Sequence, residues 1–476
     1  MVGIERGWLR AGVLVVVLML GPGAQAQDVL TKQYDDGSVY EGTFRDGLPD
    51  GRGIYRLPSG FEYEGDWQAG QIRGQGRARY PTGSVYEGAF ETGKPEGQGR
   101  IVHPDGGSYE GTWTDGRMTG EGTARYADGT VHSGAFVDGV PEGPGVRQAP
   151  GGARYEGTWV QGAMQGRARI AYADGAVYEG DLVDGQRQGK GTLTTPEGLT
   201  YVGDWQDGQI NGAGRLTQAN GDVYEGGFAN GQRVGQGRVS YANGDSYEGA
   251  FLADQRHGRG LFRGPEGYVY DGEWVEGRIE GQGRLTYPDG AVFEGMLRGG
   301  DPEGPGRIAY PDGSLFEGTW IGGTIEGPGR AVYANGQVYE GAFRSARPHG
   351  EGVMAWPDGT RHSGQWVAGE FDGPGEATYP DGSVYTGDFR AGRREGTGEL
   401  RMTDGFRYVG EWVGGQMQGA GIATYATGDV YEGAFLAGKR HGQGVLRYAG
   451  GQEAAGEWTE GLLTGPAADA GSGTQP

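Results

Sequence analysis

The sequence predicts an all-β chain, an elongated single-layer antiparallel meander of repeated β-hairpins that forms a solenoid or twisted ribbon. Three observations carry this expectation. A 23-residue unit recurs from Tyr40 without insertion or deletion, giving nineteen phase positions between residues 40 and 454. Glycine makes up 106 of 476 residues, and most of it falls at five fixed slots of that unit. A glycine content that would otherwise signal disorder is therefore a periodic backbone requirement. Aromatic residues make up 11% of the chain, too many for a disordered polar tract.

At the N-terminus, Arg6 and Arg10 precede the apolar run Ala11 to Leu20, and Ala24-Gln25-Ala26 follows with small-x-small spacing. This pattern predicts an export signal cleaved after Ala26, because so short a run cannot span a bilayer. Residues 27–35 provide a lead-in strand over Thr31–Tyr34, residues 36–465 the repeat array, and residues 466–476 a disordered small-residue tail. The chain contains no cysteine, which excludes a disulfide framework and an acylated lipoprotein cysteine. Net charge is −22, and removal of Glu5, Arg6 and Arg10 with the signal makes it −23. That balance repels nucleic acid and anionic membrane surfaces.

Within each copy, with the phase residue as position 0, glycine fills +2 and +11 in all nineteen copies and +7 and +13 in seventeen each. The fifth slot, three residues before phase, is glycine in every copy from Gly37 to Gly451. Position +4 is Trp or Phe except at Leu182 and Leu297. Period-two alternation puts 0, +2 and +4 on one strand face, such as Tyr63, Gly65 and Trp67. A second strand over +13 to +17 carries apolar residues at +15 and often Tyr at +17, as at Tyr80, Tyr126, Tyr172 and Tyr310. The opposite face carries acids at +1 (Glu64, Glu87) and Arg at +14 (Arg77, Arg169, Arg284), in position for cross-strand ion pairs. Sequences such as Pro-Asp-Gly at +18 to +20 make tight turns between copies, while the segment holding +7 and +11 reads as a longer loop. One lead-in strand, eighteen hairpins and a last strand near Trp458 predict 38 strands. Stacked at about 4.7 Å each, they would extend up to about 180 Å. Trp and Phe alternate at +4 from Phe44 to Trp159, slip at Phe228 and Phe251, and resume from Trp274, which points to a duplicated 46-residue unit.

The phrase Tyr-Glu-Gly-x-[Phe/Trp]-x-x-Gly-x-x-x-Gly-x-Gly, as in YEGAFETGKPEGQG from Tyr86, resembles the MORN (membrane occupation and recognition nexus) repeat over nearly the whole chain after the signal. The departures are local: His132-Ser133-Gly134 and His362-Ser363-Gly364 replace Tyr-Glu-Gly, Phe293 and Phe316 replace Tyr, and the last copy reads Ala454-Ala455-Gly456. The resemblance implies hairpin arrays used for protein docking, self-association and lipid contact. It is also associated with a lipid-kinase domain in some proteins, for which the repeats leave no residues in this sequence.

Enzymatic chemistry finds no constellation. His257, His349 and His441 all fall at +10, four copies apart, roughly 40 Å from one another by strand spacing. They read as loop residues and not as a zinc or general-base cluster. The Gly-x-Gly pairs precede no helix pattern and are explained by the period. A carboxylate ladder at +1 would space its acids about 9–10 Å apart, too far to share a cation. No cofactor or metal is expected.

The function expected is a non-enzymatic, exported scaffold, periplasmic or secreted, that presents a repeated aromatic groove to an extended peptide or partner protein. The groove aromatics are Tyr63, Trp67, Tyr86, Trp113, Tyr155, Trp159, Tyr201, Trp205, Tyr270, Trp274, Trp320, Trp366, Tyr408 and Trp412, since Tyr and Trp are effective anchors. The alternative is a cell-wall glycan-binding or membrane-lipid-associated repeat protein, with lipid disfavoured by the negative charge. Self-association through the open sheet edges is a further expectation.

Overall fold

The computed structural model describes residues 29–466. The expected signal peptide, with its cleavage point, and the tail beyond Pro466 lie outside the described residues. Contacts divide the chain into two units, one of Met1–Pro196 with Trp205–Gly208 and one of Glu197–Asp204 with Gln209–Pro476. The described residues form 39 β-strands and no helix. Each unit is an open antiparallel meander in which a strand pairs with its neighbours in the chain.

The first hairpins show the rule. The lead-in strand β1 (Leu30–Gln33) pairs with β2 (Val39–Arg45), which pairs with β3 (Leu48–Arg56), and that in turn with β4 (Glu62–Gln68) and β5 (Gln71–Arg79). Each of the first eighteen copies therefore contributes a seven-residue strand over −1 to +5 and a nine-residue strand over +8 to +16. The second strand is longer than the expected +13 to +17, and the supposed loop around +7 and +11 is almost entirely strand. Its turn has only two residues, Asp46 and Gly47, at φ 52° and 83°. Positive φ at both central positions is the type I′ geometry whose twist matches a hairpin. Gly51, the +11 residue, sits at φ 92° inside a bulge. There Gly42 faces Gly53 but Phe44 faces Pro49, so Thr43 opposes three residues. The register moves by two and not by one, so side chains keep their faces. Sequence reasoning mistook this bulge for a loop because clustered glycines usually mark one.

Between copies, Gly60 N–H donates to Leu57 O at 3.0 Å and Leu57 N–H to Phe61 O at 2.8 Å. This is a type I turn closed by a left-handed residue, and the glycine there, Gly60, has φ 92°. At the other edge, Gly70 N–H donates to Pro49 O of the preceding copy at 2.8 Å, which ties adjacent hairpins together. The nineteenth copy supplies a second short strand, β39 (Leu462–Pro466), beyond the expected single strand at Trp458. This accounts for 39 strands against the 38 expected. The lead-in strand falls at Leu30–Gln33, one residue before its expected place.

Candidate functional site

Glycines at +2 and +13 face each other across successive strands: Gly42 opposite Gly53, Gly53 opposite Gly65, Gly65 opposite Gly76. This row without side chains is the floor on which the phase rings lie. A Cβ on Gly42 or Gly53 would collide with the Tyr40 ring. The ring is held there by its hydroxyl, which donates to the carbonyl of Thr43 at 3.0 Å. Thirteen of the fourteen phase tyrosines make this same bond to the +3 carbonyl. Where both +4 neighbours are aromatic the ring is flanked edge-on by the two of them: Tyr40 by Phe44 and by Trp67 of the next copy, both at 5.0 Å between centroids. Such pairs add about 0.5–1.5 kcal/mol beyond burial. Seven of the nine +4 tryptophans donate Nε1–H to a +13 glycine carbonyl of the preceding copy, as Trp113 does to Gly99 O at 3.1 Å.

The aromatic column is therefore the core of the protein. Tyr63, Trp67, Tyr86, Trp113, Trp159, Tyr201, Trp205, Tyr270, Trp274, Trp320, Trp366, Tyr408 and Trp412 are buried, and Tyr155 is half-buried. The structure places these rings under neighbouring side chains and not at the face of an open groove. Burial pushes the Tyr40 phenol up to about 12, so it stays neutral. The physical reason is that a single-layer sheet has no second layer to cover its apolar face. It covers that face with its own rings laid flat.

What reaches the surface of this face is the residue at +17 and, in eleven of the nineteen copies, the residue at +9. Position +9 acts as a lid. Arg187, Arg256, Arg394 and Arg440 lay their guanidiniums over Trp205, Trp274, Trp412 and Trp458 at 4.0–4.3 Å, and Arg233 lies over Phe251 at 5.3 Å, whereas other copies use Pro, Ile, Met, Phe or Leu. Position +17 stands at the turn joining successive copies. Tyr126 and Tyr310 are exposed, and Tyr80, Tyr172, Tyr287, Tyr333, Trp356 and Tyr379 are half-buried. In the second unit five successive copies carry a ring there, Tyr287, Tyr310, Tyr333, Trp356 and Tyr379. The same turns carry Asp289, Asp312, Asp358 and Asp381, each accepting a hydrogen bond from the backbone N–H two residues on at 2.8–2.9 Å. Those bonds hold the carboxyls of Asp312, Asp358 and Asp381 below their usual range. The Tyr310 phenol is raised by burial and then by the carboxylates of Asp289 and Asp312. Sequence reading assigned +17 to the core face; its uninterrupted run from 287 to 379 was the available signal that it differs.

The opposite face carries the expected ion pairs. Arg77 meets Glu87 at 3.0 Å, Arg169 meets Glu179 at 2.8 Å, and Glu294 is shared by Arg284 at 3.2 Å and Arg307 at 2.6 Å. In the second unit the glycine floor between these charges forms a shallow cleft of about 780 Å³, over Gly283, Gly295, Gly306 and Gly318. Among the described residues, no three His, Asp or Glu side chains gather into a metal-binding group.

The chain belongs to the MORN repeat family. The family model matches eighteen tandem segments, beginning at residues 40–61 and ending at 431–453. Among characterised proteins, Alsin of Rattus norvegicus is 47% identical over 49 residues, 9% of this chain and 3% of that protein. The chain thus spans a small fraction of that relative's length. Solved structures with similar stretches include the SAS-4 TCP domain of Drosophila melanogaster in complex with a proline-rich motif of Ana2, at 18% identity, TM-score 0.22, covering 32% of this chain and 83% of that one. Another is the TCP10 domain of Danio rerio CPAP in complex with a peptide of STIL, at 14% identity, TM-score 0.18, covering 60% and 97%. MORN membership supports a repeat-based binding or scaffold role.

Proposed function

We propose that the protein is a non-enzymatic binding scaffold, exported across the inner membrane, that docks an extended peptide or partner protein along its ring face. One observation carries the reading most: the outward positions recur in register copy after copy, so the molecule offers a periodic surface. Its polar chemistry points the same way. All phase tyrosines but Tyr155 are buried with their hydroxyls committed to backbone carbonyls, and acids of the opposite face such as Glu87 and Glu179 are engaged by arginines. Export rests on the N-terminal pattern from Arg6 to Ala26.

Deleting blocks of whole 23-residue copies, which preserves register, followed by in-cell crosslinking tests the docking role. A defined partner should disappear with one block and persist with the others. Partners that survive every deletion sink the proposal. Cell fractionation with N-terminal sequencing tests export, with Gln27 the expected first residue.

A further inference from the structure

We propose that the five-ring run at +17 in the second unit binds a basic, proline-rich segment in the polyproline II conformation, lying across the strands. This inference rests on the protein-docking reading and names its partner class.

The first argument is pitch. Tyr287, Tyr310, Tyr333, Trp356 and Tyr379 occupy equivalent positions in consecutive copies, two strands apart. Two strand spacings are about 9.4–9.8 Å. A polyproline II helix repeats every three residues, at about 9.3 Å. A proline-rich chain running along the array would therefore present the same side to every ring, one turn to each copy. Its helix is preformed, so little ordering entropy opposes binding to shallow aromatic gaps.

The second argument is charge. On four of the five turns Asp289, Asp312, Asp358 and Asp381 stand exposed beside the rings, with the neutral Asn335 on the turn of Tyr333. The +9 residues within this stretch are Ile279, Pro302, Ile325, Pro348 and Phe371, all uncharged and all but Ile279 buried, while arginine lids resume outside it at Arg256 and Arg394. The ring row is thus flanked by carboxylates and free of arginine lids, complementary to a segment that repeats Lys or Arg at every third position.

The third argument is that the copies concerned spare extra aromatic surface. At Phe316 the phase ring leaves the glycine floor and stands between Tyr310 and Tyr333, at 6.1 and 5.7 Å. His362 likewise leans on Trp356 at 4.7 Å. Ile325 and Phe371 fill the floor positions these rings give up. Both departures thicken the row at its centre.

The test is fluorescence anisotropy with three labelled twelve-residue peptides, Pro-Pro-Lys, Gly-Gly-Lys and Pro-Pro-Glu, each repeated four times, against the whole protein. Twelve residues of polyproline II span about 37 Å, the length of the five-ring run. Saturable binding of the Pro-Pro-Lys peptide, with the other two at least tenfold weaker, supports the proposal. Tyr310→Leu with Tyr333→Leu should weaken it at least tenfold while keeping apolar bulk and the far-ultraviolet circular dichroism of the parent, and Tyr126→Leu in the first unit should leave it unchanged. The proposal is overturned if the Pro-Pro-Lys peptide does not bind. It is equally overturned if Gly-Gly-Lys binds as well, which would mean charge alone, or if the ring substitutions change nothing. Binding of peptidoglycan fragments lost with the same substitutions, in place of peptide binding, would make the occupant a glycan and overturn it too. A crosslinked partner that still disappears with one block of copies would then leave the broader docking reading standing.

Discussion

The copy that begins at Tyr63 and the copy that begins at Tyr155 differ by little in sequence and by a great deal in what lies at their centres. In the first, Gly65 and Gly76 leave the floor bare, Tyr63 is fully buried on it, and its hydroxyl reaches Asp66 O at 3.0 Å. In the second, Ala168 stands where the +13 glycine belongs. Its Cβ lies over Gly157, the Met164 side chain bends in beside it, and Tyr155 is left half-buried without the hydroxyl bond. One methyl group thus decides which of two side chains occupies the floor. The glycines of this repeat make a slot for one ring, and the +9 residue is the competitor for it.

The strongest way to break the first arrangement is to add that methyl where the competitor cannot help. Gly99→Ala puts a Cβ into the Tyr86 ring, and the +9 residue there is Pro95, too short and rigid to fill the space. Loss of one buried ring and its hydroxyl bond should cost about 3–4 kcal/mol. Gly76→Ala should cost less, about 2 kcal/mol, because Ile72 can swing in as Met164 does. Because a repeat array unfolds locally, hydrogen exchange resolved by copy is the proper measure. Equal losses at the two sites would refute the competition.

A second contrast sets the copy at Tyr109 against its neighbour at His132. His132 is buried between Phe136 and Trp159, at 5.3 and 4.9 Å, and neither ring nitrogen has a hydrogen-bond partner. Desolvation first, and then the Arg147 charge, lowers its pKa to about 4. Its folded pKa lies below its unfolded value, so protonation favours the unfolded copy. Stability from this site is complete above about pH 6.5 and falls as pH drops toward 4. The loss should reach roughly 2–3 kcal/mol. Local exchange protection around residues 131–148, corrected for intrinsic rate, should fall over that window. The copy at Tyr109 should hold steady, and His132→Tyr should remove the dependence.

A smaller effect separates two phenylalanine copies. Phe293 lies in its slot, fully buried, beside the +9 residue Pro302. Phe316 stays out, and Ile325 takes its place. Neither has a hydroxyl to anchor it, so the +9 residue decides. Phe316→Tyr should draw the ring in by adding a bond to Thr319 O, raising local protection about fivefold, or about 1 kcal/mol. Unchanged protection at residues 317–330 would show that the hydroxyl is not the anchor.

How much of this could be read from the sequence follows from how each feature is encoded. The hairpin meander was legible because glycine and aromatic slots recur in unbroken register, and the charge pairing because +1 and +14 alternate in sign along one face. The tight turn at +6 and +7 was not, since Asp46, Ala69 and Thr92 are ordinary residues forced to positive φ, and propensity does not foresee that. Nor was the burial of the rings. Tyr63 and Trp67 look like surface anchors until the glycine floor beneath them is seen in three dimensions. The identity of the side chain in each slot depends on residues nine and thirteen places away, a competition that a pattern of types does not display.

The opposite face offers the mildest test, because there the two kinds of copy differ least. Glu294 forms ion pairs with Arg284 and with Arg307, and all three side chains are substantially exposed. Each pair should contribute about 0.2–1 kcal/mol, screened by salt. A double-mutant cycle with Glu294→Gln and Arg307→Gln at low ionic strength should give a coupling in that range, which 1 M salt removes. A coupling that persists in high salt would mean that the ladder, and not only the ring column, fixes the register of the copies. In that case the change of Glu and Arg to Val409 and Ile422 near the C-terminal end would mark the place where the array is least constrained.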